Sequence, residues 1–313
     1  MGKTRNNFDA LRLIAALCVM VSHVQALAGR TQATFAGMDI GNAAVLVFFA
    51  ISGYLVSASW RSDPDVRRFI TRRFLRVAPG YIGVLALSTM VMSSLGLTSF
   101  PMNPMAAVNG SLWTIDYEVI CYLVFMVLAM ATRHGGPALV LLGTVLGHDD
   151  YFDQFAIVFG LGATVSQYPI LQRRGVLPIL AALGAALLAR TAPFWPAALF
   201  LTCATLWIGR QSWPLLRDVG VRTDVSYGAY LYAFPVQQLV IMWLGPSLPA
   251  SVLLACAVPI TVAMAWLSWH FVEAPALALK AGLRSDQAKP AASAWARTRS
   301  AVSTELNPAT SDT

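Results

Sequence analysis

Arg12 and His23 stand eleven residues apart inside one apolar run, Phe8 to His23. At about 100° per residue that spacing is three turns plus roughly 20°, so a helix presents both side chains on one face, about 16 Å apart along its axis. An ionisable side chain at membrane depth costs about 2.5–3.5 kcal/mol unless it is paired or wet, which makes both groups candidates for function. The chemistry open to His23 is general-base removal of a hydroxyl proton, since a free imidazole titrates near neutrality. The plainer use is an interhelical hydrogen bond. Asp116 and Glu118 lie two residues apart, so on a helix they point to nearly opposite sides. One then faces the aqueous rim while Glu118 faces the bundle, where it needs a partner; Arg12 or His23 could supply it. Between Arg61 and Arg76 lie six arginines. Arg73 and Arg76 are helix neighbours, and guanidinium forks match phosphate oxygens bidentately. The alternative use of these arginines is to anchor topology and attract anionic lipid. Ser52, in Ile51-Ser52-Gly53-Tyr54, either bonds across helices packed closely at the glycine or lines a substrate tunnel.

The elements that must hold these groups are helices in a membrane. Hydrophobic residues make up 57% of the chain and charged residues 12%, with a mean hydropathy of +0.62; a soluble domain carries about twice that charge. Ten apolar runs are expected to span, at 10–28, 40–60, 74–96, 112–132, 136–147, 151–168, 176–191, 194–210, 226–245 and 248–271. The fifth is short enough to be tilted or re-entrant. Breakers fall between them: Pro101, Pro104, Gly135-Gly136-Pro137, Gly175, Pro193 and Gly245-Pro246. With the N-terminus in the cytoplasm, 19 of the 22 lysines and arginines fall in cytoplasmic segments, only Arg30 and Arg190 on the far side, and Arg12 within the membrane. That asymmetry follows the positive-inside rule and places both termini in the cytoplasm. The net charge of +7 therefore needs no nucleic-acid partner. The expected architecture is an all-α polytopic bundle over 1–280 with a disordered cytoplasmic tail over 281–313. No cleavable signal peptide is expected, because the first run continues past h-region length. Cys18, Cys121, Cys203 and Cys256 sit inside apolar runs without metal-ligand spacing and read as small core residues. His134 and His148 read as surface loop residues and His270 as structural. No matched pair of broken helices suggests an inverted-repeat transporter.

Six segments in order resemble the landmarks of the membrane acyltransferase family 3, the O-acyltransferases of surface polysaccharides and some small molecules. They are Phe8-Asp9-Ala10-Leu11-Arg12 through Ser22-His23; Phe48-Phe49-Ala50-Ile51-Ser52-Gly53-Tyr54-Leu55; Arg73-Phe74-Leu75-Arg76 with Pro79 and Tyr81; Ser111-Leu112-Trp113-Thr114-Ile115-Asp116-Tyr117-Glu118; Ser226-Tyr227-Gly228-Ala229-Tyr230-Leu231; and Trp269-His270-Phe271-Val272-Glu273-Ala274-Pro275. The resemblance covers roughly 7–275. It implies that His23 is the essential base, Arg12 a positioning residue, and Glu118 part of the same central site. It also implies that Arg73 and Arg76 hold an acyl-coenzyme A donor; Ser52, if it lines the tunnel, is the third donor-site candidate. No permanently bound cofactor and no metal are expected; the donor, acetyl-CoA above all, is a substrate. The acceptor is expected to be a sugar or glycan hydroxyl, and the location the inner (plasma) membrane. The family's histidine in the ninth span is replaced here by Ala233, and the polar residue before its paired phenylalanines by Leu46 and Val47. A transporter or flippase, or an acyltransferase acting on a small-molecule or lipid acceptor, stands as the alternative.

Overall fold

The computed structural model describes residues 6–98, 109–146, 151–190, 194–220 and 223–279. Among them are ten α-helices: α1 (Phe8–Leu27), α2 (Ile40–Ser62), α3 (Val66–Ser94), α4 (Trp113–Ala131), α5 (Gly135–Leu146), α6 (Phe152–Gln167), α7 (Val176–Leu188), α8 (Phe194–Gly209), α9 (Val225–Leu244) and α10 (Ala250–Ser268). The fold is nearly all-α, and each apolar run of the sequence is one helix. The expected tail over 281–313, His148, Pro101, Pro104 and Pro193 lie outside the described residues.

Two local features differ from the sequence reading. α3 begins at Val66, well inside the basic segment, because Asp65 caps it: its carboxylate accepts from the Arg68 N–H at 2.8 Å. Arg67, Arg68, Arg72, Arg73 and Arg76 are thereby helical rather than loop residues. Between α1 and α2 a two-stranded hairpin pairs β1 (Thr34–Phe35) with β2 (Met38–Asp39). Its tight turn has positive φ at Ala36 and Gly37 (52° and 81°), as a primed hairpin turn requires. Asp39 then caps α2 by accepting from Asn42 N at 2.8 Å.

Hydrogen bonds gather the helix ends into two sets. At one end, Asn7 before α1 bonds the end of α8 through Ile208 O and Gly209 O, both at 3.0 Å. Arg61 at the end of α2 donates to the Ser166 carbonyl of α6. Gln167 accepts from Gly136 N of α5 at 3.0 Å, and Arg76 of α3 pairs with Asp224 before α9 at 2.7 Å. At the opposite end, Arg30 donates to the carbonyls of Pro246, Ser247 and Leu248 beyond α9, and the Ser22 hydroxyl is shared between Gln32 and Asp39. α1 and α9 are neighbours running the same way: Arg12 acts on Asp224 at the start of α9, Gln237 donates to Met20 O at 2.8 Å, and Arg30 bonds the segment beyond α9.

Among the described residues, five helices are long and apolar enough to cross a membrane: Phe8–Leu27, Ile40–Ser62, Val66–Ser94, Trp113–Ala131 and Ala250–Leu279. α5 and α7, of 12 and 13 residues, reach only about 18–20 Å at 1.5 Å per residue, against a hydrocarbon core of about 30 Å. α9 has 20 residues but carries Gln237 and Gln238. α2 forms the axis: 67% of its apolar stretch is buried, against 22% for α3 and α10, whose outer faces expose Phe74, Ile82, Met90, Ile260 and Trp266. Apolar side chains on the outside of an already packed bundle are what a lipid-facing surface requires.

α2 reaches its neighbour α6 through glycines. A Cβ on Gly53 would stand 3.0 Å from Phe159 Cα, and one on Gly162 would stand 3.1 Å from Tyr54 N. Backbone opposes backbone there, so nothing flexible can give way. Gly53→Ala is therefore expected to destabilise the bundle by about 1–3 kcal/mol or more, read as a lowered thermal unfolding midpoint in detergent; Gly83→Ala in α3, where a Cβ would meet nothing nearer than 3.4 Å, is the comparison.

Candidate active site

A cavity of about 650 Å³ opens among α1, α2, α3, α4 and α9, at the end where the arginines gather. Its wall contains Arg12, Ser52, Arg73, Arg76 and Glu118, five of the six residues singled out in the sequence, together with Arg72, Arg217, Asp9 and Asp224. Five arginines against three carboxylates leave the lining positive.

The arginines are not equivalent. Arg72 is buried and pairs with Asp63 at 2.9 Å. Arg76 pairs with Asp224 at 2.7 Å, Arg12 with Asp9 at 3.5 Å, and Arg217 with Asp218 at 3.7 Å. Arg73 has no carboxylate within 4.0 Å among the described residues; its guanidinium lies over the rings of Phe69 and Tyr122, 5.8 and 5.6 Å from their centroids. Its Nε is buried without a hydrogen-bond partner. A buried guanidinium whose donors are not consumed by an internal carboxylate is the natural seat for an anionic ligand group.

Glu118 corrects one expectation. Neither Arg12 nor His23 bonds it. Glu118 Oε1 accepts instead from Ser52 Oγ at 2.7 Å and from the Tyr122 hydroxyl, and Arg73 feels its charge. α4 runs beside α2 and the Arg73 face of α3, so hydroxyls of near neighbours reach Glu118 first. Asp116, two residues earlier, is exposed, as its opposite helix face dictates.

Between α2 and α3, Asp63 bridges Arg68 and Arg72 at 2.6 and 2.9 Å; the Arg68 hydrogen bonds hold its carboxyl below the usual range. Asp224 takes bonds from Arg76 and from Ser226 Oγ at 2.6 Å. Burial alone would push its carboxyl up, but the Arg76 and Arg12 cations and these bonds outweigh it and hold the group well below the usual carboxylate range. A carboxyl lowered in the folded state stabilises the fold above its unfolded value and loses that effect only as pH falls through the lowered one, so this pair persists throughout the neutral range.

His23 is placed apart from the cavity wall. Its ring meets Phe234 of α9 edge-on, with centroids 5.2 Å apart, and its Nδ1 is buried with no hydrogen-bond partner. The eleven-residue spacing does set both groups toward α9: Arg12 acts on Asp224 at its start, and His23 on Phe234 halfway along. His23 therefore lies inside the bundle, one face with Arg12 but deeper by about 16 Å.

Several lining residues carried no role in the sequence reading: Asp224, Thr114, Tyr227 and Tyr230. Tyr227 donates to Val77 O at 2.8 Å, and Tyr230 to Ser111 O at 3.0 Å. Their signal was the spacing Tyr227, Tyr230 on one helix face, with a lone carboxylate just ahead of the span. Glu273, in a π-helical turn (Trp269–Glu273) after α10, is 3% exposed. It accepts from Ser268 Oγ at 2.9 Å and acts on Arg76. His270 is exposed and bonds only Trp266 O, at 2.8 Å; His134 joins Tyr168 across two loops.

Comparison with known proteins places the whole chain. The family model described as an acyltransferase domain, acyltransferase 3, matches residues 5–270. The chain is 28% identical to an "O-acetyl transferase" of Shigella phage Sf6, over 86% of this chain and 95% of that one. It is 27% identical to "Nodulation protein 10" of Rhizobium leguminosarum bv. viciae, over 89% of this chain and 95% of that one. No solved structure matches it. The match runs from before Arg12 to the turn that holds Glu273 and takes in every helix of the cavity: the chain belongs to the acyltransferase 3 family and is an acyltransferase.

Proposed function

We propose that this chain is a membrane O-acetyltransferase that takes the acetyl group of acetyl-CoA at the cytoplasmic face of the inner (plasma) membrane and transfers it to a hydroxyl of a sugar or glycan. One observation carries the donor side: Arg73, the lining guanidinium with no carboxylate partner, stands in a positive cavity beside Arg76, Arg12 and Ser52. The similarity to an O-acetyl transferase supports the transferred group. The ten helices cross or enter the bilayer with both termini in the cytoplasm, an orientation supported by the crowding of arginines at the cavity end.

In this reading the diphosphate of coenzyme A sits against Arg73, with Arg76 oriented by Asp224. The thin pantetheine arm runs on past Tyr230 and Phe234 toward His23. His23 takes the proton of the acceptor hydroxyl as its oxygen attacks the thioester carbonyl. The new C–O bond forms, the C–S bond breaks, and the imidazolium returns its proton to the departing coenzyme A sulfur. Arg12 and Glu118 shape the charge along the route, a positioning role. No cysteine lines the cavity, which supports direct transfer over a thioester relay.

Mass spectrometry of surface glycans from cells with and without the gene tests this, beside acetyl-CoA consumption by the purified chain. The expected result is an acetyl mass difference on glycan and release of free coenzyme A. Glycans of equal mass with acetyl-CoA untouched would overturn it in favour of a transporter.

A further inference from the structure

Burying an amide without a hydrogen-bond partner costs about 1–3 kcal/mol on mutational scales, so a cluster of such groups calls for an account. One lies around His23. Gln237 and Gln238 are both 0% exposed. Gln237 spends its Nε2 on Met20 O at 2.8 Å and leaves Oε1 without a partner, while Gln238 leaves both amide atoms without one. His23 Nδ1 and Ser111 Oγ are buried and unpartnered as well.

These groups share a place. Gln237 and Gln238 stand three and four residues beyond Phe234, hence one turn further along the same face of α9, and the Phe234 ring is the one that meets His23. Gly110, next to Ser111, closes on the same ring: a Cβ there would stand 2.6 Å from it. Tyr230, four residues before Phe234, lines the cavity. One face of α9 therefore leads from the cavity, through Tyr230 and Phe234, to the two amides.

We infer that Gln237 and Gln238 are acceptor-positioning residues: with His23 and Ser111 they form a subsite for an uncharged polyhydroxyl group, a sugar ring presenting adjacent hydroxyls. The inference rests on the acetyltransferase reading and deepens it. The chemistry selects the ligand class. The free atoms include acceptors (Gln237 Oε1, Gln238 Oε1), a two-hydrogen donor (Gln238 Nε2) and a hydroxyl that does both (Ser111). Neighbouring sugar hydroxyls, each donor and acceptor, match that mixture, whereas a carboxylate would face carbonyl oxygens and an ammonium would face N–H groups. One hydroxyl gives its proton to His23 while the next bonds the amides and fixes which oxygen attacks.

Gln238→Leu separates this from a packing role. Removing an unpartnered buried amide from a merely structural position stabilises the fold and leaves transfer unchanged. The subsite reading predicts an equal or higher unfolding midpoint, an unchanged stabilisation by acetyl-CoA, and a KM for the acceptor raised roughly tenfold. The acceptor probe is surface glycan of the producing cell, stripped of ester groups by mild base, with the full-length chain in detergent. Gln237→Met serves as the second variant, and Gln238→Asn is expected to recover part of the loss. Unchanged transfer by a folded Gln238→Leu protein, or loss of folding in both variants, overturns the inference alone. An unsubstituted chain that neither responds to acetyl-CoA nor acetylates the glycan would overturn the parent reading and this one with it.

Discussion

His23→Ala is expected to cut acetyl transfer about 10²–10⁴-fold, the usual contribution of a positioned general base, while acetyl-CoA still stabilises the protein against heat. The split follows from geometry. His23 is absent from the lining of the cavity that holds the arginines, so donor binding should not register its removal. The imidazole edge packs on Phe234, and losing that contact alone costs only about 0.5–1.5 kcal/mol beyond burial. His23→Gln keeps a polar group of similar reach without a titratable nitrogen, and it should be as inactive as the alanine variant. Transfer retained by either variant would show that the proton leaves by another route. Simultaneous loss of donor stabilisation and activity would mark His23 as a structural residue.

Arg76→Met should be the most destabilising single change in the cavity wall, at about 3–5 kcal/mol, because it leaves Asp224 charged and buried with its main partner gone. Asp224→Asn added to Arg76→Met removes the orphaned charge. The double variant is expected to regain most of the unfolding midpoint without regaining transfer. Arg73→Lys makes the opposite pair of predictions. Arg73 pairs directly with no carboxylate among the described residues, and lysine keeps the positive charge that Glu118 faces, so the fold tolerates the change; the planar fork that matches phosphate is lost, so KM for acetyl-CoA rises. Thermal unfolding and donor titrations on the three proteins check this together. If Arg76→Met folds normally, the pair is not the brace described here; if Arg73→Lys binds acetyl-CoA unchanged, the donor phosphates do not sit on Arg73.

Much of the site was legible because its signals are local. Ionisable residues inside apolar runs stand out against composition, and two of them, Arg12 and Glu118, line the cavity beside Arg73 of the basic segment. The opposite faces of Asp116 and Glu118 followed from two-residue spacing on a helix. The start of α3 escaped hydropathy because a capping aspartate, rather than apolar content, begins that helix. Gln237 and Gln238 escaped because an amide in an apolar run resembles an ordinary polar interruption until its burial is known.

From the sequence alone come the ten helices, the approach of α2 to a neighbour at Gly53, and the residues able to do chemistry; each is a property of composition or spacing within a few turns. Tertiary structure decided the pairings. Arg76 meets Asp224 across 148 positions and Ser52 meets Glu118 across 66, because helix adjacency depends on how side-chain volumes fit at crossings such as Gly53 against Phe159. Spacing along one helix carries no information about which face of another it will meet. For that reason the guanidinium left free for a ligand, Arg73 rather than Arg76, could be told only once the carboxylates had found their partners.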